Sequence, residues 1–296
     1  MFVSDITHLA LLHLESLMSK TASQGPVKDD LTPIDRLLAI MQRLRDPGQG
    51  CPWDLEQNWE SLTRYTLEEA YEVVDAVERK DAASLRDELG DLLLQVVFYS
   101  QIAAENKVFC FDDVATGCAD KMLRRHPHVF SSDSRISSAA EQMGVWEDIK
   151  AKERARLQSD KVEESALDGI SRALPAVTKA LKLQGRAARE GFDWTDIHDV
   201  LDKIMEEIGE VRDELDTSPM IHSRLSDEIG DLLFSVINLA RKVDVDPETA
   251  LRQANAKFDR RFRHMEALLR NAGKTPENSE LEVMEAFWAQ VKSQEK

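Results

Sequence analysis

The sequence predicts an all-α protein made by tandem duplication of one helical-bundle domain. Two observations carry that expectation. Glycine (12) and proline (9) are scarce among 296 residues, helix formers are common, and strand-like alternation of Val, Ile and Thr is hard to find. The chain also repeats itself. "GCPWD" from Gly50 returns as "GFDWT" from Gly191, and "LEEAYEVVDAV" from Leu67 returns as "MEEIGEVRDEL" from Met205. "DELGD" from Asp87 returns as "DEIGD" from Asp227, "DKMLRR" from Asp120 as "AKFDRR" from Ala256, and "VWEDIK" from Val145 as "FWAQVK" from Phe287. The five offsets run from 136 to 142 in unbroken order. A spacing that long marks a duplicated domain, not a short solenoid repeat.

The elements follow in order. Residues 1–30 are weakly amphipathic and end in the loop-like "TASQGPVKDD"; they lack the basic start and cleavage site of a signal peptide, and read as an extension. Residues 31–155 form the first repeat and 166–296 the second. Between them, 156–165 belongs to a charged stretch without apolar periodicity and reads as a linker. The serine-rich 131–140 reads as a loop inside the first repeat. Each repeat is then a tryptophan loop, an acidic helix, a second acidic helix running into apolar residues, a basic helix, and a tail carrying Trp-x-x-x-Lys.

Composition narrows the function. A net charge of −17 and a pI of about 4.9 argue against nucleic acid and anionic membrane surfaces as partners. No apolar run reaches membrane-spanning length. Cys51, Cys110 and Cys118 are odd in number and lack metal-site spacing, which fits a reduced, cytoplasmic setting.

The acids carry the chemistry. Positions i and i+3 share a helix face, so Glu69 projects with Glu72, and Glu88 with Asp91. The second repeat gives Glu207 with Glu210, and Glu228 with Asp231. If each pair of helices packs antiparallel, four carboxylates converge. A single Glu-x-x-Glu pair reads as ordinary solvated surface. Convergence is different: two carboxylates 5 Å apart repel by roughly 3 kcal/mol at an effective dielectric near 20. A cation among them relieves that repulsion, and all-oxygen donors favour Mg²⁺, with Mn²⁺ as a substitute. A di-iron bundle wants Glu-x-x-His motifs, which neither repeat has at these glutamates.

Basic residues recur too. Lys121 with Arg125 and Lys257 with Arg261 are i, i+4 pairs suited to phosphates, or to a solvated basic face. Trp146 with Lys150 and Trp288 with Lys292 pair a ring with a cation; a core tryptophan with a snorkelling lysine is the competing reading. Trp53 and Trp194 read as structural anchors, and His126 and His128 as loop histidines. No Gly-x-x-x-x-Gly-Lys phosphate loop and no Ser/His/Asp arrangement is present. Gly90 and Gly230 stand between ligand candidates at a helix-propensity cost of about 1 kcal/mol, which suggests close approach of a neighbouring helix.

"CPWDLEQ", "YTLEEAYEVVDAV", "DELGDLLLQVVFYSQ" and "RRHPHVF" in the first repeat, with "GFDWT", "MEEIGEV", "DEIGDLLFSVINLAR" and "ANAKFDRRF" in the second, resemble the MazG family of all-α nucleoside triphosphate pyrophosphohydrolases. The resemblance spans about Ile34 to Lys292. It implies Mg²⁺-dependent hydrolysis of NTPs and dNTPs, with broad base choice, to the monophosphate and pyrophosphate. It implies a homodimer of intertwined four-helix bundles, and a role in house-cleaning or in regulating nucleotide pools. The second repeat is then the active one, with Glu207, Glu210, Glu228 and Asp231 on the metal; Glu69, Glu72, Glu88 and Asp91 are the intact first-repeat equivalents. Lys203, Arg224, Asp231, Lys257, Arg261, Trp288 and Lys292 fall on nucleotide contacts, and Glu206 or Glu207 on the general base. A nucleotide sensor or partner-binding module without turnover is the alternative.

Overall fold

The computed structural model describes residues 30–130 and 165–295, with isolated positions between them (138, 142, 144–146, 149 and 153). The expectations for residues 1–29, for the serine-rich segment, for the linker and for Lys150 lie outside the described residues. No strand occurs among the described residues. Contacts divide the chain into two compact units that meet between Ile149 and Lys150.

The first unit opens with α1 (Pro33–Leu44) and a short α2 (Pro52–Glu56). Then come α3 (Trp59–Arg79), α4 (Ala82–Glu105), α5 (Phe111–Arg125) and a single turn, α6 (Pro127–Phe130). Sequence sets the boundaries. Thr32 caps α1 by accepting from the Asp35 N–H, and Pro33 starts the helix where a missing N–H costs nothing. Asn58 and Ser61 close a reciprocal capping box at the start of α3. Lys80 turns left-handed (φ 57°), and Asp81 at once caps α4 through the Ala83 and Ser84 N–H groups. A two-residue connection leaves no room except for an antiparallel hairpin of α3 and α4. The α1 helix packs on α4, and the core forms from Met41, Leu62, Val97, Phe98 and Ile102.

The second unit repeats the plan with α7 (Ala176–Arg189), α8 (Ile197–Asp216), α9 (His222–Lys242), α10 (Pro247–Asn271) and α11 (Leu281–Gln294). Asp196 caps α8 through the His198 N–H; Asp246 and Pro247 start α10 in the same way that Thr32 and Pro33 start α1. The α8/α9 hairpin mirrors α3/α4. A core of Met265, Leu269 and Val291 binds α10 to α11, with Phe262, Phe287 and Trp288 packed against it.

Both tryptophan loops are structural, by different means. In the first, Arg45 is buried, forks onto Glu105 (2.8 and 2.7 Å) and donates to the carbonyls of Asp54 and Gln57. Gly50 is required there, since a Cβ would lie 2.3 Å from the Leu44 carbonyl oxygen. In the second, Asp193 receives Arg241 (2.5 Å) and Lys242 (3.0 Å), and Gly191 takes φ +87°. Burial pushes the Asp193 carboxyl up, but the hydrogen bonds from Arg241 and Lys242 outweigh it and hold it below its ordinary value of 3.8. Folded Asp193 therefore takes up a proton less readily than unfolded Asp193. Its contribution is complete above pH 3.8 and is lost as pH falls through the lowered folded value. Asp193→Asn should be less stable than wild type in urea melts at pH 7, and the gap should narrow as pH falls below 3.8; a gap that does not change with pH would rule out the ion-pair account.

Two expectations are corrected. An added Cβ at Gly90 or Gly230 meets nothing within 4 Å, so neither glycine makes room for a packed helix of its own chain. Close approach was inferred from spacing between two acids, and the spacing leaves that side of the helix open. His126 and His128 lie on a helix C-cap and a helical turn, not in a loop, because Pro127 sits where the turn lacks a partner for its N–H. His126 Nδ1 donates to the Met122 carbonyl (2.7 Å), whereas His128 Nδ1 is buried without a partner.

Candidate active site

Each acidic hairpin brings three carboxylates together. In the second repeat Glu207 and Glu210 on α8 meet Glu228 on α9, with one oxygen of each within 4.8 Å of the others. In the first repeat the group is Glu69 on α3 with Glu88 and Asp91 on α4. The fourth expected member differs. Glu72 lies beside Glu88 and raises its carboxyl, after the larger effect of desolvation. Asp231 is exposed, one turn beyond Glu228, and outside the group.

The repulsion is visible in the titration directions. Desolvation and the neighbouring Asp91, Glu72 and Glu88 push Glu69 up. Glu210 is raised by its hydrogen bond to Glu207 and by desolvation. Glu207 is 3% exposed, and its Oε2 is buried with no hydrogen-bond partner. An unpartnered carboxylate oxygen within a carboxylate group fits a cation ligand, and opposite oxygens on Mg²⁺ lie about 4.2 Å apart, close to the spacing here. The residues present therefore fit a divalent cation.

A lysine separates the repeats. Lys203 donates to Glu206 (2.7 Å) and contacts Glu207 (2.8 Å), and these two hydrogen bonds raise its pKa well above the ordinary lysine range. At the matching offset of 138 the first repeat has Tyr65, which packs edge-on against Trp53. Glu206 is exposed and outside the three-carboxylate group.

The other expected nucleotide residues are placed apart from the carboxylates. Arg224 pairs with Glu214, a buried acid near the end of α8. Arg261 binds Glu295 through Nε (2.7 Å) and Nη2 (2.6 Å), and Arg260 shares the same carboxylate (3.1 Å). Lys257 and Lys292 are exposed. Trp288 is half-buried in the α10/α11 core, tilted on Phe258 with ring centroids 5.4 Å apart. In the first repeat Trp146 meets His126 at 5.5 Å. Sequence reasoning missed Glu214 and Glu295: on a helix they look like any solvated acid.

The comparisons with known proteins match this geometry. A model described as the MazG nucleotide pyrophosphohydrolase domain matches twice, over residues 57–130 and 196–266, which contain the two acidic hairpins. A nucleoside triphosphate pyrophosphohydrolase of Escherichia coli K12 is 50% identical over 90% of this chain and 99% of its own. The chain belongs to the MazG family. A further relative, the nucleoside triphosphate pyrophosphohydrolase/pyrophosphatase MazG of Thermotoga maritima, is 41% identical over 87% of this chain and 95% of its own. The YabN protein of Bacillus subtilis is 40% identical over 87% of this chain but only 51% of its own length. MazG membership thus rests on both repeats and nearly the full described chain.

Proposed function

We propose that this chain hydrolyses nucleoside triphosphates, NTPs and dNTPs alike, to the monophosphate and pyrophosphate at the second-repeat carboxylates. The observation that carries the reading is the Glu207–Glu210–Glu228 group with its buried, unpartnered Glu207 oxygen and its lysine buttress. The names of the E. coli and T. maritima relatives point the same way. Glu207, Glu210 and Glu228 would hold Mg²⁺ or Mn²⁺, with Asp231 as the fourth oxygen donor. When bound, the cation supplies Lewis-acid polarisation of phosphoryl oxygens and acidifies water.

The chain's own groups do the rest. Glu206, left out of the ligand group and hydrogen-bonded by Lys203, accepts the proton of the attacking water. Lys203 orients both glutamates. Lys257 and Arg261 meet phosphate oxygens, and Arg224 joins them; Arg261 must first release Glu295, and Arg224 must release Glu214. Trp288 and Lys292 lie on α11 beside that basic helix. The first-repeat group of Glu69, Glu72, Glu88 and Asp91 is the second choice, because Tyr65 replaces the lysine. The setting is the cytoplasm, where Cys51, Cys110 and Cys118 stay free thiols. Among the described residues no helix is long and apolar enough to cross a membrane. The role is house-cleaning or regulation of nucleotide pools.

The purified chain should release pyrophosphate, with no free orthophosphate, from NTPs in Mg²⁺, and should stop with EDTA. Nucleotide binding without turnover would instead favour a sensor.

A homodimer accounts for one more feature. Ile229, Leu233 and Val236 form an i, i+4, i+7 stripe on α9 that stays exposed, as do Leu201 and Met205 on α8. The stripe is a coiled-coil spacing, suited to a second copy of the same hairpin. Leu233→Asp should halve the mass by sedimentation while helical content persists; a wild type that sediments as a monomer defeats the dimer.

A further inference from the structure

The loop end of the α8/α9 hairpin holds a charge pair that the first repeat lacks. Glu214 continues the face of α8 that carries Glu207 and Glu210, since the three are spaced i, i+3 and i+7. Arg224 lies four residues before Glu228 on α9, about 6 Å along the axis and on one face with it. The arginine therefore starts one helical turn from the carboxylate group. Its guanidinium goes the other way, and Nη2 donates to Glu214 Oε1. Glu214 is 7% exposed, whereas the Arg224 side chain is 58% exposed. A carboxylate that deep destabilises the fold unless a cation answers it. Its second oxygen, Oε2, is buried with no hydrogen-bond partner, so Arg224 carries the compensation.

The first repeat has neither member. Where Glu207 answers Glu69 at the offset of 138, Glu214 answers Ala76, which is fully buried. Where Glu228 answers Glu88 at 140, Arg224 answers Ser84, whose hydroxyl donates to Asp81 (2.8 Å) in the α4 cap. The acid and the arginine are missing together from one repeat and present together in the other. A solvated surface ion pair would account for Arg224, but it does not require an acid buried with an orphaned oxygen.

The carboxylate group supplies the requirement. Three carboxylates with oxygens within 4.8 Å attract any cation in reach, and a guanidinium forks onto carboxylates with two donors. Arg224 is tethered one turn away. Seated on Glu228, it would cover the oxygens that a divalent ion must take. We propose that Glu214 is a positioning residue for cation loading: it draws Arg224 off Glu228 and keeps the three carboxylates open until a triphosphate, with more charge than one carboxylate, takes the guanidinium over. Glu214 touches neither the cation nor the substrate and acts through Arg224. The proposal rests on the cation reading above.

The test is a double-mutant cycle read by titrating nucleotide-free protein with Mn²⁺ and following the free ion by electron paramagnetic resonance. Glu228→Gln, titrated alongside, identifies the ions held by the second repeat. Glu214→Gln should weaken those ions about fivefold with helical content unchanged. Arg224→Gln should restore the affinity in that background, yet change it by less than about twofold in wild type, because there the arginine is already drawn away. Glu214→Asp, which keeps the charge, should stay close to wild type. If Glu214→Gln does not fold, Glu214→Ala, the first-repeat residue, takes its place in the cycle. Wild-type affinity in the Glu214 variant overturns the proposal, and so does a loss that Arg224→Gln does not recover. An equal gain from Arg224→Gln in both backgrounds also overturns it, since the two residues would then act only through their summed field. In each of those cases the cation reading stands. If Glu228→Gln removes no Mn²⁺ at all, the cation reading falls and takes the proposal with it.

Discussion

Glu207→Gln and Glu228→Gln should each lower pyrophosphate release by at least ~10³-fold, while Glu228→Gln, which breaks no lysine pair, should raise the melting temperature measured in EDTA. The two effects have opposite signs for one reason. Three carboxylates within 4.8 Å repel when no cation is present, and desolvation of the 3%-exposed Glu207 adds to the cost. A neutral amide relieves the repulsion but removes a ligand, and electrostatic stabilisation of developing charge is commonly the largest part of such catalysis. Wild type should gain stability as Mg²⁺ is added, in proportion to the logarithm of its concentration once the site fills. The amide variants should lose most of that gain. Glu206→Gln separates the roles: kcat should fall while the Mg²⁺-dependent rise in melting temperature is retained. Amide variants with full activity would remove the second-repeat assignment and send the search to Glu69, Glu88 and Asp91.

Phe98→Ala carries the largest expected loss of stability, about 3–5 kcal/mol. The ring is closed in by Met41, Leu62, Val97 and Ile102, touches Trp53 edge-on, and lies under the Arg45 guanidinium at 5.5 Å. Truncation leaves a void that the α1, α3 and α4 backbones cannot fill, and it loosens the seat of Arg45 on Glu105. In a urea titration the first repeat should unfold earlier and the second should keep its midpoint, with pyrophosphate release little altered at low urea. Equal movement of both transitions would mean that the repeats unfold as one cooperative unit.

The fold was legible because its signals are periodic or repeated. Helical spacing, caps such as Asn58 and Asp81, and five ordered self-matches all act over short stretches of chain. The carboxylate groups were legible for the same reason: i and i+3 on two adjacent helices fix which acids converge. Spacing could not say which acid would be left outside, and Asp231 and Glu72 fell differently because side-chain rotamers, not register, decide the last few ångströms. Lys203 looked like any lysine until the hairpin placed it on two glutamates. Gln184 gave no signal, because its buried amide meets the Phe234 carbonyl between helices 50 residues apart in sequence. Gly90 and Gly230 misled, since a conformational liberty was read as a steric need.

The grip of Arg260 and Arg261 on Glu295 has a kinetic side. Glu295 acts as a competing anion already in place. Its removal in Glu295→Gln should free both arginines and lower the KM for a triphosphate more than it changes kcat.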